Sequence, residues 1–378
     1  MKTKIRKKKM SVFLVLLLGI LIVFSVLFAF GLEFRWWSFG NNIIDVDSKL
    51  DISSKIKEFS IGYGNQTNLV SVDGYLVSEN DGIIEWRNQN GDIEQKSESK
   101  MLRPILRSSK KYLVIAEAKG KKFEVYLKKN LSWKGETEEE ILNVNISDNG
   151  FLTVIKKYTG YTSAVDVYNE AGIKIFTSFY ADLLATDALV LPNNKTTIIN
   201  LVKYKGTVLK TIVEYLDSAG KKFSEISFDD ELAVKILSLA DAQSVICTKD
   251  KLVIVSETGK EKFDRRYKSI QSVYEISKGI LAISAVSKGE VESQPKSIQF
   301  LNSNNEFQNS LMVNTSIKSM IAREGVVVLN LGRRILILNQ HGQTKGGSPI
   351  GGEIDRILFL ELGKAMFATN KSIGVCSY

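Results

Sequence analysis

A single histidine, His341, stands in 378 residues. A histidine-based triad, a histidine-rich metal site or a histidine general base would have to rest on that one side chain. It sits in a Gln340-His341-Gly342 hairpin turn, where solvent exposure is expected. Cysteine is nearly as scarce: Cys247 and Cys376 are the only two, about 130 residues apart, each inside an apolar strand pattern. That placement predicts buried free thiols rather than a disulfide, so a large core has to hold the chain together.

Other catalytic signatures are missing too. Lys345-Gly-Gly-Ser-Pro-Ile-Gly-Gly352 is rich in glycine, but a strand pattern follows it where a phosphate-binding loop must feed a helix. It reads as a flexible loop between repeats. Asp45-Val-Asp47-Ser-Lys-Leu-Asp51 has acids in the spacing of a calcium loop but lacks the central glycine and the closing glutamate. The acidic runs Glu136 to Glu140 and Asp229 to Glu231 fall between strands, where solvated loops are expected rather than a glycosidase carboxylate pair.

Charge of one sign is concentrated in one place only. The formal net charge is +9, yet Lys2, Lys4, Arg6, Lys7, Lys8 and Lys9 supply six positives within residues 1–9. Removing these six from 51 basic residues leaves 45 against 42 acidic ones, about +3 for the rest. The remaining Lys and Arg are interspersed with acids rather than clustered, which argues against nucleic acid as a partner. Lys110-Lys111 and Lys119 to Lys122 read as solvated turn and edge residues.

Residues 10–32, from Met10 to Leu32, run without a charge. As a helix this segment would be about 34 Å long, enough to cross a hydrocarbon core of about 30 Å and longer than a cleaved signal's apolar region. The expectation is a single-pass anchor, with cleavage at Ala29-Phe30-Gly31 as the alternative. The positive-inside rule puts the tail in the cytoplasm and everything after Leu32 on the extracytoplasmic side of the cell membrane. Trp36 and Trp37 then fall at headgroup depth, as interfacial aromatics do. Residues 33–56 form a juxtamembrane linker with no firm structural signal beyond the option of a short helix.

From Lys57 onward the chain becomes short, alternating, β-branched strands, the pattern of an all-β domain. One phrase keeps returning: a strand, an Asn, Asp or Ser, two further residues, a glycine, and a second strand. Its glycines are Gly91, Gly172, Gly220, Gly259 and Gly342, with Asn305 in the corresponding turn between the last two. A tight hairpin needs a positive φ there, which glycine adopts without steric cost. The later turns are spaced by about 40–48 residues and then by about 37. Four strands per period of about 40 residues is the signature of a β-propeller.

Seven full repeats can be delimited, the first over 68–100, the second over 104–138, and the last beginning at Ser316. After Gly352 the chain has only three more strands, which would leave a bare sheet edge. The alternating Phe59, Ile61 and Tyr63 segment precedes the first repeat and can supply the missing outer strand. The expectation is an eight-bladed β-propeller over 57–378, closed by pairing its two ends. A seven-bladed ring is the alternative, because repeat two lacks the glycine turn.

The hairpin phrase resembles the repeats of quinoprotein-type (pyrroloquinoline-quinone-like) propellers and WD40-like repeats over roughly 57–378. In the quinoprotein family a tryptophan after the turn staples neighbouring blades. The matching positions here are Ile175 or Phe176, Phe223 and Phe263, with no tryptophan. That family's enzymes also need a catalytic carboxylate, a calcium site and a tryptophan floor on the axis, and nothing in the sequence places such a set. An anchor followed by such a ring is also similar to a family of Gram-positive envelope proteins known as a domain of unknown function.

The expected function is therefore non-enzymatic and needs no cofactor: a membrane-anchored extracytoplasmic scaffold for an envelope protein partner. A receptor for a small ligand or glycan in the central funnel is the alternative, and a degenerate quinoprotein enzyme ranks third.

Overall fold

Short β-branched strands joined mostly by turns of two to six residues pair most readily with their neighbours in sequence, and within each blade from residue 68 to residue 377 they do so. The computed structural model describes residues 43–46, 55–59, 68–205, 208–289, 291, 294–302, 304, 306–361 and 363–378. All of them lie in the compact unit Ile43–Tyr378. Eight sheets follow one another, each built on four antiparallel strands in chain order except the last, and the sixth carries a fifth, parallel strand from earlier in the chain. Blades 1 to 7 span 68–98, 104–136, 141–180, 184–229, 235–266, 269–313 and 319–349. The protein is an eight-bladed propeller.

Blade 8 is composite. Its first three strands are Ile354–Glu361, Lys364–Thr369 and Ile373–Ser377, and its outer strand is Lys55–Phe59. Lys55 pairs with Ser377 and Phe59 with Ile373 in an antiparallel ladder. The strand thus begins two residues before the expected segment, and Ile61 and Tyr63 lie outside the described residues. So do the Met10–Leu32 segment, Trp36, Trp37 and Asn305. Among the described residues no helix is long and apolar enough to cross a membrane.

The core is divided into eight apolar clusters, one in each junction between adjacent blades. Several second and third strands are buried on both faces and read as continuous apolar runs, such as Val326–Asn330 and Arg334–Asn339. Outer strands alternate exposed and half-buried residues, as in Lys222–Asp229.

The repeated hairpin has a definite chemistry. Asn169 Oδ1 accepts hydrogen bonds from the backbone N–H of Ala171 and Ile173 at 3.1 and 2.9 Å. Asp217 does the same for Ala219 and Lys221, both at 2.9 Å, and Asn339 for His341 and Gln343 at 3.0 and 2.9 Å. Short polar side chains are favoured here because they hold the turn's own backbone.

Glycine in this hairpin does two jobs. Its φ is +79° at both Gly172 and Gly220, and a Cβ at either would also strike an aromatic ring from the preceding blade's outer strand. At Gly172 that ring is Trp133, 2.8 Å away; at Gly220 it is Phe176, at 2.6 Å. Phe59 of the ring-closing strand covers Gly91 in the same way, and Leu311 covers Gly342. A tryptophan staple therefore exists, at Trp133 in blade 2, contrary to the reading of the later repeats. Of the two matching positions Ile175 and Phe176 it is Phe176 that staples, but Phe223 is exposed and its neighbour Ser224 meets Gly259 instead. Repeat two needs no glycine because Lys128 takes the positive φ, +57°, in a two-residue turn.

Two further segments differ from expectation. Thr344–Pro349 is the outer strand of blade 7, not a flexible loop; Gly346 and Gly347 are buried opposite Ile337 and Leu336. Pairing with a complete neighbouring strand overrides the low strand propensity of glycine, and Pro349 is tolerated at the outer strand's end. In the linker, Ile43–Ile44 forms a fifth strand on blade 6, parallel to Met312–Val313.

Candidate interaction surface

Because strands alternate in direction, every blade places its second-to-third turn and its link to the next blade at one end of the ring, here the link end. The first-to-second turns and the glycine hairpins share the other, the turn end.

At the hub, a side chain reaches across every junction to a neighbouring blade. Asn68 donates to the Pro104 carbonyl at 3.3 Å, Asn143 to Thr186 at 3.1 Å and Asn200 to Ala233 at 3.0 Å. Lys235 donates to Val273 and Asn330 to Ile354, both at 2.9 Å; Gln271 reaches Ile317 at 2.9 Å and Arg356 reaches Leu69 at 3.2 Å. Between blades 2 and 3, Arg107 donates to the Asn143 amide oxygen at 3.3 Å. First strands have an edge that no further strand covers, and these bonds satisfy carbonyls there.

Two clefts of about 390 and 290 Å³ open among the first-to-second turns at the turn end. In the larger one Arg323 pairs with Glu324 at 3.1 Å, and Glu361 pairs with Lys364 outside the lining at 2.9 Å. Deeper along the first strands, burial pushes the Asp187 carboxyl upward against the hydrogen bond from Asn145. Burial likewise pulls the Lys235 ammonium down, although it lies 3.9 Å over the Tyr274 ring. Among the described residues no group of three His, Cys, Asp or Glu side chains could hold a metal ion. Trp86 is buried in the third strand of blade 1 and Trp133 lies on an outer strand, so neither floors the axis.

The link end of blades 3 to 5 is different. Tyr161, Phe179, Leu184, Tyr204, Leu232 and Val234 are all exposed there, Tyr204 at 73% and Val234 at 65%. Tyr158, Tyr161 and Phe179 pack edge-on or tilted, with centroids 4.8–5.9 Å apart. At the turn end the exposed apolar residues, such as Leu131, Phe223 and Phe307, are instead scattered around the outer strands.

Polar contacts fix the backbone beneath this surface. Ser163 donates to the Leu183 carbonyl and accepts from Ala185 N–H, both at 2.9 Å. Thr211 donates to Glu231 O at 2.6 Å, and Arg266 bridges Glu231 and Asp250 at 2.8 and 3.2 Å. The acidic run Glu138 to Glu140 is not simply solvated: each residue ties the link between blades 2 and 3 down. Glu138 pairs with Lys156, Glu140 with Lys157 at 2.7 Å, and Glu139 accepts from Thr159 at 2.9 Å.

Behind that link is a balanced quartet. Lys156 and Asp166 are fully buried 2.7 Å apart, and Lys174 reaches Asp166 at 3.1 Å and Glu138 at 3.3 Å. Thr177 donates to the second Asp166 oxygen at 2.6 Å. The Lys156 hydrogen bond, with Glu138's own N–H, holds the Glu138 carboxyl at about 2. Burial opposes a charged Lys174, but Asp166 beside it prevails and raises its pKa. Such a pair persists only with every acceptor and donor engaged.

Of the other singled-out residues, His341 is exposed in its turn, and Cys247 and Cys376 are buried free thiols. Burial pushes Cys247 up to about 12. The hub donors and the link-end patch escaped sequence reading. The only signal was a polar residue interrupting an apolar first or second strand, and isolated aromatics beside loop acids.

Comparison with known proteins places this geometry. Residues 48–376 match the family of unknown function DUF5711, and the chain belongs to that family. No curated protein matches it. The C-terminal WD40 domain of Sif2 superposes with a TM-score of 0.62 at 9% identity, covering 86% of this chain and 99% of that one. BamB from Moraxella catarrhalis gives 0.52 at 11% identity, covering 86% and 100%. AztD from Citrobacter koseri gives 0.50 at 10% identity, covering 76% and 87%. At these identities the likeness is one of fold.

Proposed function

We propose that the protein is a non-enzymatic scaffold of the cell envelope, held at the outer face of the membrane by its Met10–Leu32 segment. Its partner is another envelope protein, received on the link end of blades 3 to 5. The observation that carries this reading is the set of exposed aromatic and aliphatic side chains on blades 3 and 4 and the link to blade 5, above backbone that polar contacts already fix. Large rigid side chains add contact area at little entropic cost, and clustered apolar surface of this kind marks interaction sites.

A photo-crosslinking residue at Tyr204 of the full chain in its native membrane tests this, with the same residue at Glu170 on the turn end as control. A discrete protein adduct is expected from position 204 alone. Equal adducts from both positions, or none from 204, would remove the reading. The address has its own test: external protease on intact protoplasts should cut the propeller, and a protected propeller would reverse the orientation.

A second reading, a receptor for a small ligand or glycan on the axis, draws on the two clefts. A thermal-shift screen against wall fragments and divalent ions separates it from the first.

A further inference from the structure

Outer propeller strands end a sheet, so each leaves a row of N–H and C=O groups that a further strand could use. On blade 6 the chain itself shows how that edge is used. Ile43–Ile44 runs parallel to the outer strand Phe307–Val313, opposite Met312 and Val313 only.

The short strap is seated in a built site. Asn314 N–H donates to the Ile44 carbonyl at 3.2 Å, and the Asn314 side chain accepts from Val46 N–H at 3.2 Å and donates to the Asp45 carboxylate at 2.7 Å. One asparagine therefore reads three consecutive residues. Ile44 and Val46, on either side of Asp45, are 6% and 1% exposed, sunk into the apolar cluster between blades 6 and 7 beside Val313, Ile317 and Met320. The rest of the blade 6 edge, residues 307–311, takes no strand among the described residues.

We propose that this edge is a strand-accepting site whose resident occupant, residues 43–46, is exchangeable. The incoming ligand is an extended segment of a partner protein with an apolar–acidic–apolar triplet. The apolar residues fill the two positions of Ile44 and Val46, the acid meets the Asn314 amide, and a longer strand continues along residues 307–311, where no strand pairs among the described residues. Main-chain pairing supplies affinity and the alternate side chains supply selectivity, as in other strand-addition sites. The site is separate from the link-end patch, and a blank result at one leaves the other standing.

The tethered strap competes with a free ligand at an effective concentration on the order of millimolar, so releasing it should expose the site. The test uses the full chain and a fluorescein-labelled synthetic peptide of residues 41–48, followed by fluorescence anisotropy. The release variant I44D/V46D is expected to bind that peptide at least about tenfold tighter than the wild type, and N314A on that background to lose the gain. A second variant, I43C/M312C, ties the strap to the strand at a directly paired position and leaves Asn314 in place: oxidised, it should refuse the peptide, and reduction should restore wild-type binding.

Equal binding by wild-type and release variants of native near-ultraviolet circular dichroism would overturn the proposal. So would identical binding by the oxidised and reduced lock. A strap-exchanged dimer of the wild type in sedimentation would overturn it as well, by making a second copy the occupant.

Discussion

Replacing Gly220 by alanine separates two reasons for glycine that sequence alone runs together. The added Cβ would lie 2.6 Å from Phe176 Cδ2 and 2.7 Å from Cγ, where carbon atoms at rest stay about 3.5–4.0 Å apart. Overpacking of that kind costs about 1–3 kcal/mol. The positive φ adds about 1–2 kcal/mol for an L-residue. Alanine recovers about 0.4–1 kcal/mol by stiffening the unfolded chain. The net loss should be about 2–4 kcal/mol. Gly160 is the control: its φ is +86°, but nothing lies within 4 Å of the Cβ position, so Gly160→Ala should lose only about 1 kcal/mol. Urea unfolding followed by tryptophan fluorescence reads both, and Phe176→Ala closes a cycle in which Gly220→Ala costs about 1–2 kcal/mol less. Equal losses at the two glycines, or strict additivity with Phe176→Ala, would refute the staple.

The buried quartet and the thiols give the other expectations. Lys156→Met leaves Asp166 buried with only Lys174 as a cation and should lose about 3 kcal/mol in the same denaturation assay, whereas Lys157→Met, at an exposed pair, should lose less than about 1 kcal/mol. Glu138 is held down at about 2 from an ordinary value of 4.5, so its contribution is complete above about 4.5 and disappears as pH falls toward 2. Midpoints of wild type and Glu138→Gln should therefore converge over that window, and a constant difference between pH 2 and 7 would contradict the assignment. Cys247 and Cys376 should resist a thiol reagent in the folded protein and react together on unfolding, since both are buried and Cys247 would ionise only near pH 12; a fast-reacting thiol at pH 8 would contradict their placement.

What could be read in the sequence was whatever the local chain enforces by itself. The Asn-x-x-Gly phrase is legible because the asparagine bonds its own turn and the glycine supplies a positive φ, both within five residues. The composite blade is legible because three strands at the end and a spare one before the first repeat leave one closure. Features whose partner is a backbone group elsewhere leave almost no trace. The Asn68, Asn143 and Asn200 side chains bond carbonyls of the next blade, and a carbonyl belongs to every residue type alike. Trp133 was missed because its own hairpin lacks glycine, so its equivalence to Phe176 shows only when both rings are seen on the following blade's glycine. Ile43–Ile44 is too short for any period, and Gly346-Gly347 argued against the strand that pairing imposes.

The direction of the staples bears on how the wheel closes. Trp133, Phe176 and Leu311 each leave an outer strand to cover the turn glycine of the next blade, and Phe59 does so from blade 8 to blade 1. The segment Lys55–Phe59 thus completes a ladder against Ile373–Ser377 and a staple onto Gly91 at once. Without it, blade 8 would show a bare edge and blade 1 an uncovered turn, so the last junction would lose its outer fastening while keeping the inner Arg356 bond to Leu69. Closure at the hub and closure at the rim are therefore separate events, made by opposite ends of the chain. The strap on blade 6 holds the chain a second time before it reaches blade 8. A load on the chain ahead of residue 43 meets the Asn314 clasp before it meets the strand that completes the ring.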